Sequence, residues 1–150
     1  MGVQTGSVAG VITITARLVA VGQDVTPTPA PSQTIQIPAT APVITSLTAA
    51  STSTGFTVTV VGYSNTRDVS QGVFVFTAAS GANLQTGQVT VSLTSAFSAW
   101  FQSAAAAPFG GQFTLTQGFT VTGNQQAVSS VAVTLTNSVG TSASKTASVP

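Results

Sequence analysis

Only five side chains in this 150-residue sequence carry charge, Arg17, Asp24, Arg67, Asp68 and Lys145, and the chain has no His, Glu or Cys. Glycoside hydrolysis needs two carboxyl groups within about 10 Å of each other. The one available pair, Asp24 and Asp68, falls in different predicted units. A Ser or Thr nucleophile needs an imidazole or amine base beside it, and Lys145 is the single candidate. Zinc asks for His or Cys and calcium for clustered carboxylates, so neither has a ligand set here. No glycine pattern opens a helix after a strand as a phosphate loop requires, and Gly110-Gly111 reads as a turn. The expectation is a protein without catalytic residues, cofactor or metal. Lys145 and Asn137 flank one turn, an arrangement that invites an isopeptide cross-link. Strand neighbours of one hairpin gain little from such a bond, however, and Lys145 is expected as a solvated guard of a sheet edge. Arg67-Asp68 reads as a solvated loop.

The remaining chemistry is recognition by aromatic surfaces. Trp100, the only Trp, lies in Thr94 to Gly111, the one stretch that breaks the β pattern. Phe97, Trp100, Phe101 and Ala104 fall at helical spacing after Ser95, which suits a cap, and Ala105-Ala106-Ala107-Pro108 ends the run. Exposed, Trp100 and Phe101 with Tyr63 would form a stacking platform for a glycan. Helical spacing favours the other outcome, in which Trp100 and Phe101 together plug one end of a β-sandwich.

The elements around these residues are strands. Val131, Val133 and Leu135 alternate with Ala132, Thr134 and Thr136 until Asn137-Ser138-Val139-Gly140 breaks the run. Two-residue alternation sends one set of side chains to a core and the other to a wetter face, and β-branched residues suit the pleat. Thr141 to Val149 offers the return strand. Earlier, Val43 to Ala49, Gly55 to Val61, Gln88 to Leu93 and Phe113 to Thr122 repeat the pattern, the last keeping one parity through Gly118. Val73, Phe74, Val75 and Phe76 are apolar on both faces, which predicts a central strand covered on both sides. Seven such strands with turns between them predict an all-β fold, an immunoglobulin-like sandwich over 41–150 with one short helix near 95–107.

Residues 1–40 predict a separate N-terminal β-hairpin. Val11 to Val21 reads as one long strand with Ile12, Ile14, Ala16, Leu18 and Ala20 on one face, and Gln33 to Ile37 as a second with Ile35 and Ile37 inward. Between them Pro27, Pro29 and Pro31 fix φ and remove donors, making a stiff loop rather than a docking motif, since no basic residue flanks them to orient a partner. Pro38-Ala39-Thr40-Ala41-Pro42 is a rigid seam and the predicted boundary. An isolated two-stranded hairpin is marginal in water, so Ile12, Ile14, Leu18, Ile35 and Ile37 are expected to be buried against something.

Charged residues make up 3% of the chain, with net charge +1, against about 25% in ordinary soluble domains. Such a charge offers phosphate backbones nothing, which excludes nucleic-acid binding by counterion release. Mean hydropathy is +0.45, but no apolar run approaches the roughly 18 residues that span a bilayer, so no membrane insertion is expected. Met1-Gly2-Val3-Gln4 lacks the basic and apolar regions of a secretory leader. Roughly three residues in ten are Ser or Thr, a composition that suits an extracellular or cell-surface β-protein.

Four segments, Ala41-Pro42-Val43-Ile44-Thr45-Ser46, Phe97 to Ser103, Phe113-Thr114-Leu115-Thr116 and Val133 to Ser138, resemble the repeated immunoglobulin-like or fibronectin-III-like domains of large secreted proteins of environmental bacteria, of the acidobacterial type. The resemblance implies spacer, stalk or adhesive modules without family-wide catalytic residues. It also implies that Thr5 to Pro31 corresponds to the final hairpin of a preceding repeat. The expected function is thus a non-enzymatic structural module of a stalk or fibre. Its partners would be further copies of itself, through inter-subunit strand pairing, or neighbouring domains of the same chain. The alternative is a carbohydrate-binding or adhesive module.

Overall fold

A computed structural model describes residues 6–150. The N-terminal residues that lack a leader pattern, and Thr5 at the start of the resemblance, lie outside the described residues.

An arm comes first. Strand β1 (Gly10–Thr15) pairs antiparallel with β4 (Ser32–Ile37), Ile12 opposite Ile35 and Gly10 opposite Ile37. Between them β2 (Val19–Ala20) and β3 (Gln23–Asp24) form a small second hairpin. The single long strand expected over Val11 to Val21 is therefore interrupted after Thr15. Two local features account for the break: Thr26 Oγ1 accepts from the Leu18 N–H at 2.8 Å, and Val21-Gly22 turns with both residues at positive φ, 49° and 76°. A β-branched residue at positive φ is strained, and Val21 is fully exposed there. Arg17 and Asp24 pair across the tip at 2.8 Å. The prolines fall in the loop that follows β3.

The remaining chain is an all-β, immunoglobulin-like sandwich. Strands β5 (Val43–Thr52), β6 (Gly55–Tyr63), β7 (Gln71–Ala78) and β8 (Gln88–Ser92) lead into helix α1 (Thr94–Gln102) and a 3₁₀ segment at Ala104–Phe109. Then come β9 (Gln112–Thr120), β10 (Val128–Thr136) and β11 (Lys145–Ser148). One sheet has the order β5-β6-β9 and the other β11-β10-β7-β8. Because β8 turns back onto β7 rather than crossing to β9, the second sheet gains a fourth strand.

The core lies where the alternation sends it. Phe56, Val58 and Val60 of β6 and Phe113 of β9 face Phe74 of β7 and Val131, Val133 and Leu135 of β10, all buried. Phe119 joins them, with ring centroids 5.0 to 5.5 Å from Phe74, Phe76 and Phe56. β9 runs in unbroken register against β6 through Gly118. β7 is central, as expected, but only one of its faces is covered. Phe74 is buried and Val75 is exposed, so the double-sided apolar run does not place a second layer over it.

Candidate functional site

One end of the sandwich is a polar joint that holds the arm. Two asparagines build it, and both are buried despite their polarity. Asn65 follows β6. Its Nδ2 donates to the Pro38 carbonyl at 2.8 Å, its Oδ1 accepts from the Thr40 N–H and hydroxyl at 3.0 and 3.1 Å, and its carbonyl accepts from the Ala9 N–H at 2.8 Å. A single residue thus ties both legs of the arm, just before β1 and just after β4. Asn137 follows β10. Its Nδ2 donates to the Thr40 carbonyl at 2.8 Å, Thr66 Oγ1 at 2.9 Å and Ser64 Oγ at 3.2 Å, while Oδ1 accepts from the Val139 and Gly140 N–H groups. Buried amides are tolerated only when paired in this way, since a lost partner costs about 1–3 kcal/mol.

Tight backbone contact supports the joint. The Ser64 N–H donates to the Gly111 carbonyl at 2.8 Å, and a Cβ on Gly111 would sit 2.5 Å from the Ser64 carbonyl oxygen. Only glycine allows that approach. Asp68 is partly buried rather than solvated. Burial pushes its pKa up, but hydrogen bonds from the Thr66 hydroxyl and the Ser138 N–H outweigh this and hold it below the usual carboxylate value. Arg67 sits at φ 57°, donates through Nη2 to the Phe101 carbonyl and places its guanidinium 5.6 Å from the Phe101 ring centroid. The solvated-loop expectation for Arg67-Asp68 is therefore corrected: the pair anchors α1 and the β10 turn to the joint. Asp24, at the arm's tip, is also held below its usual pKa, by the Thr26 hydroxyl and N–H and then by Arg17.

The expected aromatic platform divides. Phe101 is 5% exposed and packs on Phe97, with centroids 5.9 Å apart, so it lies in the core, as the favoured reading of the helical spacing has it, and the alternative that puts it on a ligand platform is corrected. Its place on the inner side of α1 is the physical reason. The helix begins after Leu93, without the Ser95 cap the sequence suggests. Trp100 and Tyr63 do meet. With Phe109 and Gln112 they line a groove of about 520 Å3, where Tyr63 is 38% and Phe109 51% exposed. The Trp100 indole N–H is already used on the Gln112 carbonyl at 3.3 Å, and the Trp100 and Phe109 rings lie 6.1 Å apart. The groove offers ring faces together with the side chains of Tyr63, Gln112 and Thr114.

On the arm, Ile12, Ile14, Ile35 and Ile37 share one face and are half-buried, while Leu18 is exposed; none belongs to the core cluster. The expectation that all five are buried is not met within the chain, because the arm pairs only with itself. Lys145 is an exposed edge residue whose Nζ donates to the Thr45 carbonyl at 2.6 Å, which bridges the two sheets, and the Asn137 amide is committed elsewhere.

The joint escaped sequence reading because its bonds join positions as much as 97 residues apart. Its one local signal was the turn chemistry of Asn137-Ser138-Val139-Gly140. Among the described residues, no three His, Cys, Asp or Glu side chains gather as a metal site, and no helix is long and apolar enough to cross a membrane. Comparison of the chain with protein-family models, curated proteins and solved structures found no match.

Proposed function

We propose that the chain is a non-enzymatic structural module of an extracellular stalk or fibre, in which the arm links one module to the next by strand pairing. The observation that carries this reading is the joint. Asn65 and Asn137 fix the arm to one pole of the sandwich, whereas the C-terminal Pro150 lies at the other, its carbonyl accepting from Ser51 Oγ at 2.5 Å. Load applied through the joint would run along the strands toward the opposite pole. Buried, fully paired amides at the entry suit a fixed angle between units better than a flexible tether. The resemblance of Ala41 to Ser46 and Phe97 to Ser103 to secreted bacterial repeats points the same way, as does the low charge.

The test is removal of residues 1–37, which keeps Pro38 and Thr40 in place to satisfy both asparagines. The shortened chain is expected to stay folded and to sediment as a monomer where the full chain associates. Equal association of both forms would sink the proposal.

A second reading, a carbohydrate-binding module, is favoured by the meeting of Trp100, Tyr63 and Phe109 in one groove. Binding to a glycan array that is lost in Trp100→Ala would support it over the structural role.

A further inference from the structure

The two seams between the sheets are closed unequally. On the side of β5 and β11, Lys145 Nζ reaches the Thr45 carbonyl and Ser51 Oγ the Pro150 carbonyl. On the side of β8 and β9 no strand joins the edges. Helix α1 fills one half of that seam, setting Phe97 4.8 Å from the Phe113 ring. The other half is a groove of about 680 Å3 with an apolar floor that includes Phe76, Leu84, Phe119 and Val121. The rest of its lining is Phe56 with amide, hydroxyl and aliphatic side chains, and none is charged.

The edge beside this groove is undefended. Among the described residues β9 pairs only with β6, and its nine residues contain no Lys, Arg, Asp or Pro. Natural edges are blunted by such residues because unpaired N–H and C=O groups template a further strand. The arm presents the complement. Both strands of the arm have a free edge, but β4 is bracketed by Pro31 and Pro38 while β1 has no charge and no Pro, so the edge of β1 is the less guarded. Its Ile12 and Ile14 point to one face about 6.8 Å apart. The one ion pair on the arm, Arg17 with Asp24, is internal to its tip. Both surfaces are thus uncharged, and neither repels the other.

The chain's own arm is held away from the groove. It is tied through Asn65 at the Asn137 pole, while the groove lies at the opposite pole beside Val121, whose N–H donates to the Thr54 carbonyl at the β5-β6 turn. A second copy meets no such restraint. We propose that β1 of one copy pairs with the free edge of β9 in a second copy and lays Ile12 and Ile14 over the groove floored by Phe119 and Leu84. This rests on the fibre reading above and names its receiving surface. Backbone pairing supplies affinity and alternate side chains the fit, as in strand addition generally. Arm and groove lie at opposite poles, so the contact is heterologous and every copy offers both halves of it.

The chain has no cysteine, so single introduced thiols report one contact each. Full-length Ile14→Cys mixed with full-length Leu84→Cys and oxidised is expected to give several-fold more disulfide-linked dimer than Ile14→Cys mixed with Val139→Cys, whose thiol lies at the far pole. In the unaltered chain, the edge-facing amides of Leu115 to Thr120 are expected to gain hydrogen-exchange protection as concentration rises. Association without the excess cross-link, or without that protection, overturns the groove assignment and leaves the fibre reading standing. A chain that neither associates nor cross-links overturns both.

Discussion

At the scale of single residues, the joint depends on two amides. Asn137 satisfies three acceptors and two backbone N–H groups from a buried position. Asn137→Ala strands several of these at once, and a loss of about 3 kcal/mol is expected from denaturant unfolding. Asn65→Ala has a different expected effect, since its side-chain partners Pro38 and Thr40 belong to the leg that follows β4, while its backbone carbonyl keeps the Ala9 N–H. The core should hold, while amide exchange in β1 and β4 rises toward that of a free hairpin. Unchanged exchange would show that the amide does not hold the arm. Asp24 and Asp68 are both held below the usual carboxylate pKa. Stability from a lowered carboxylate is fully present above the unfolded value near 3.9 and is lost as pH falls through the folded one. With no His or Glu, the melting temperature is expected to move by less than about 4 °C between pH 5 and 8, and to fall only below about pH 4. A larger shift within pH 5 to 8 would mean that other groups titrate on unfolding.

At the scale of elements, α1 acts as a wedge in the seam where a further strand is absent. Phe97 fills that space against Phe101 and Phe113. Phe97→Ala is expected to cost about 3–5 kcal/mol by chemical denaturation, as for other buried aromatics. A cost under about 1 kcal/mol would show that the helix merely rests on the sheets. β6 and β10 were legible because each has one dry face: the parities of Phe56, Val58 and Val60, and of Val131, Val133 and Leu135, set both existence and register. Where a segment faces water on both sides, pattern loses its meaning. Val11 to Val21 alternates like one strand yet breaks after Thr15, because a side-chain bond from Thr26 and the Val21-Gly22 turn decide there, not burial. Val73 to Phe76 misled in the opposite sense, since being central in a sheet is independent of being covered. Of the aromatic trio, sequence grouped Tyr63 with Trp100 but missed Phe109, which lines the same groove. It paired Trp100 with Phe101, whose adjacent position on the helix turns the ring inward.

At the scale of the molecule, the chain has two unlike poles. One holds the arm through Asn65 and Asn137, and the other carries Pro150 and the open half of the seam beside Phe119. An apolar face on Ile12, Ile14, Ile35 and Ile37, with no core of its own, is stable in water only with a partner. Near-zero net charge does nothing to oppose that partner's approach. The proposed contact joins unlike surfaces at the two poles, so on that proposal copies would add in series. The most direct measurement is the sedimentation-equilibrium mass of the full chain over a wide concentration range. The weight-average mass is expected to climb from the monomer's 14.8 kDa without reaching a plateau at a dimer. A mass that stays at 14.8 kDa at every concentration, with the amides of β1 and β4 nonetheless protected from exchange, would contradict it.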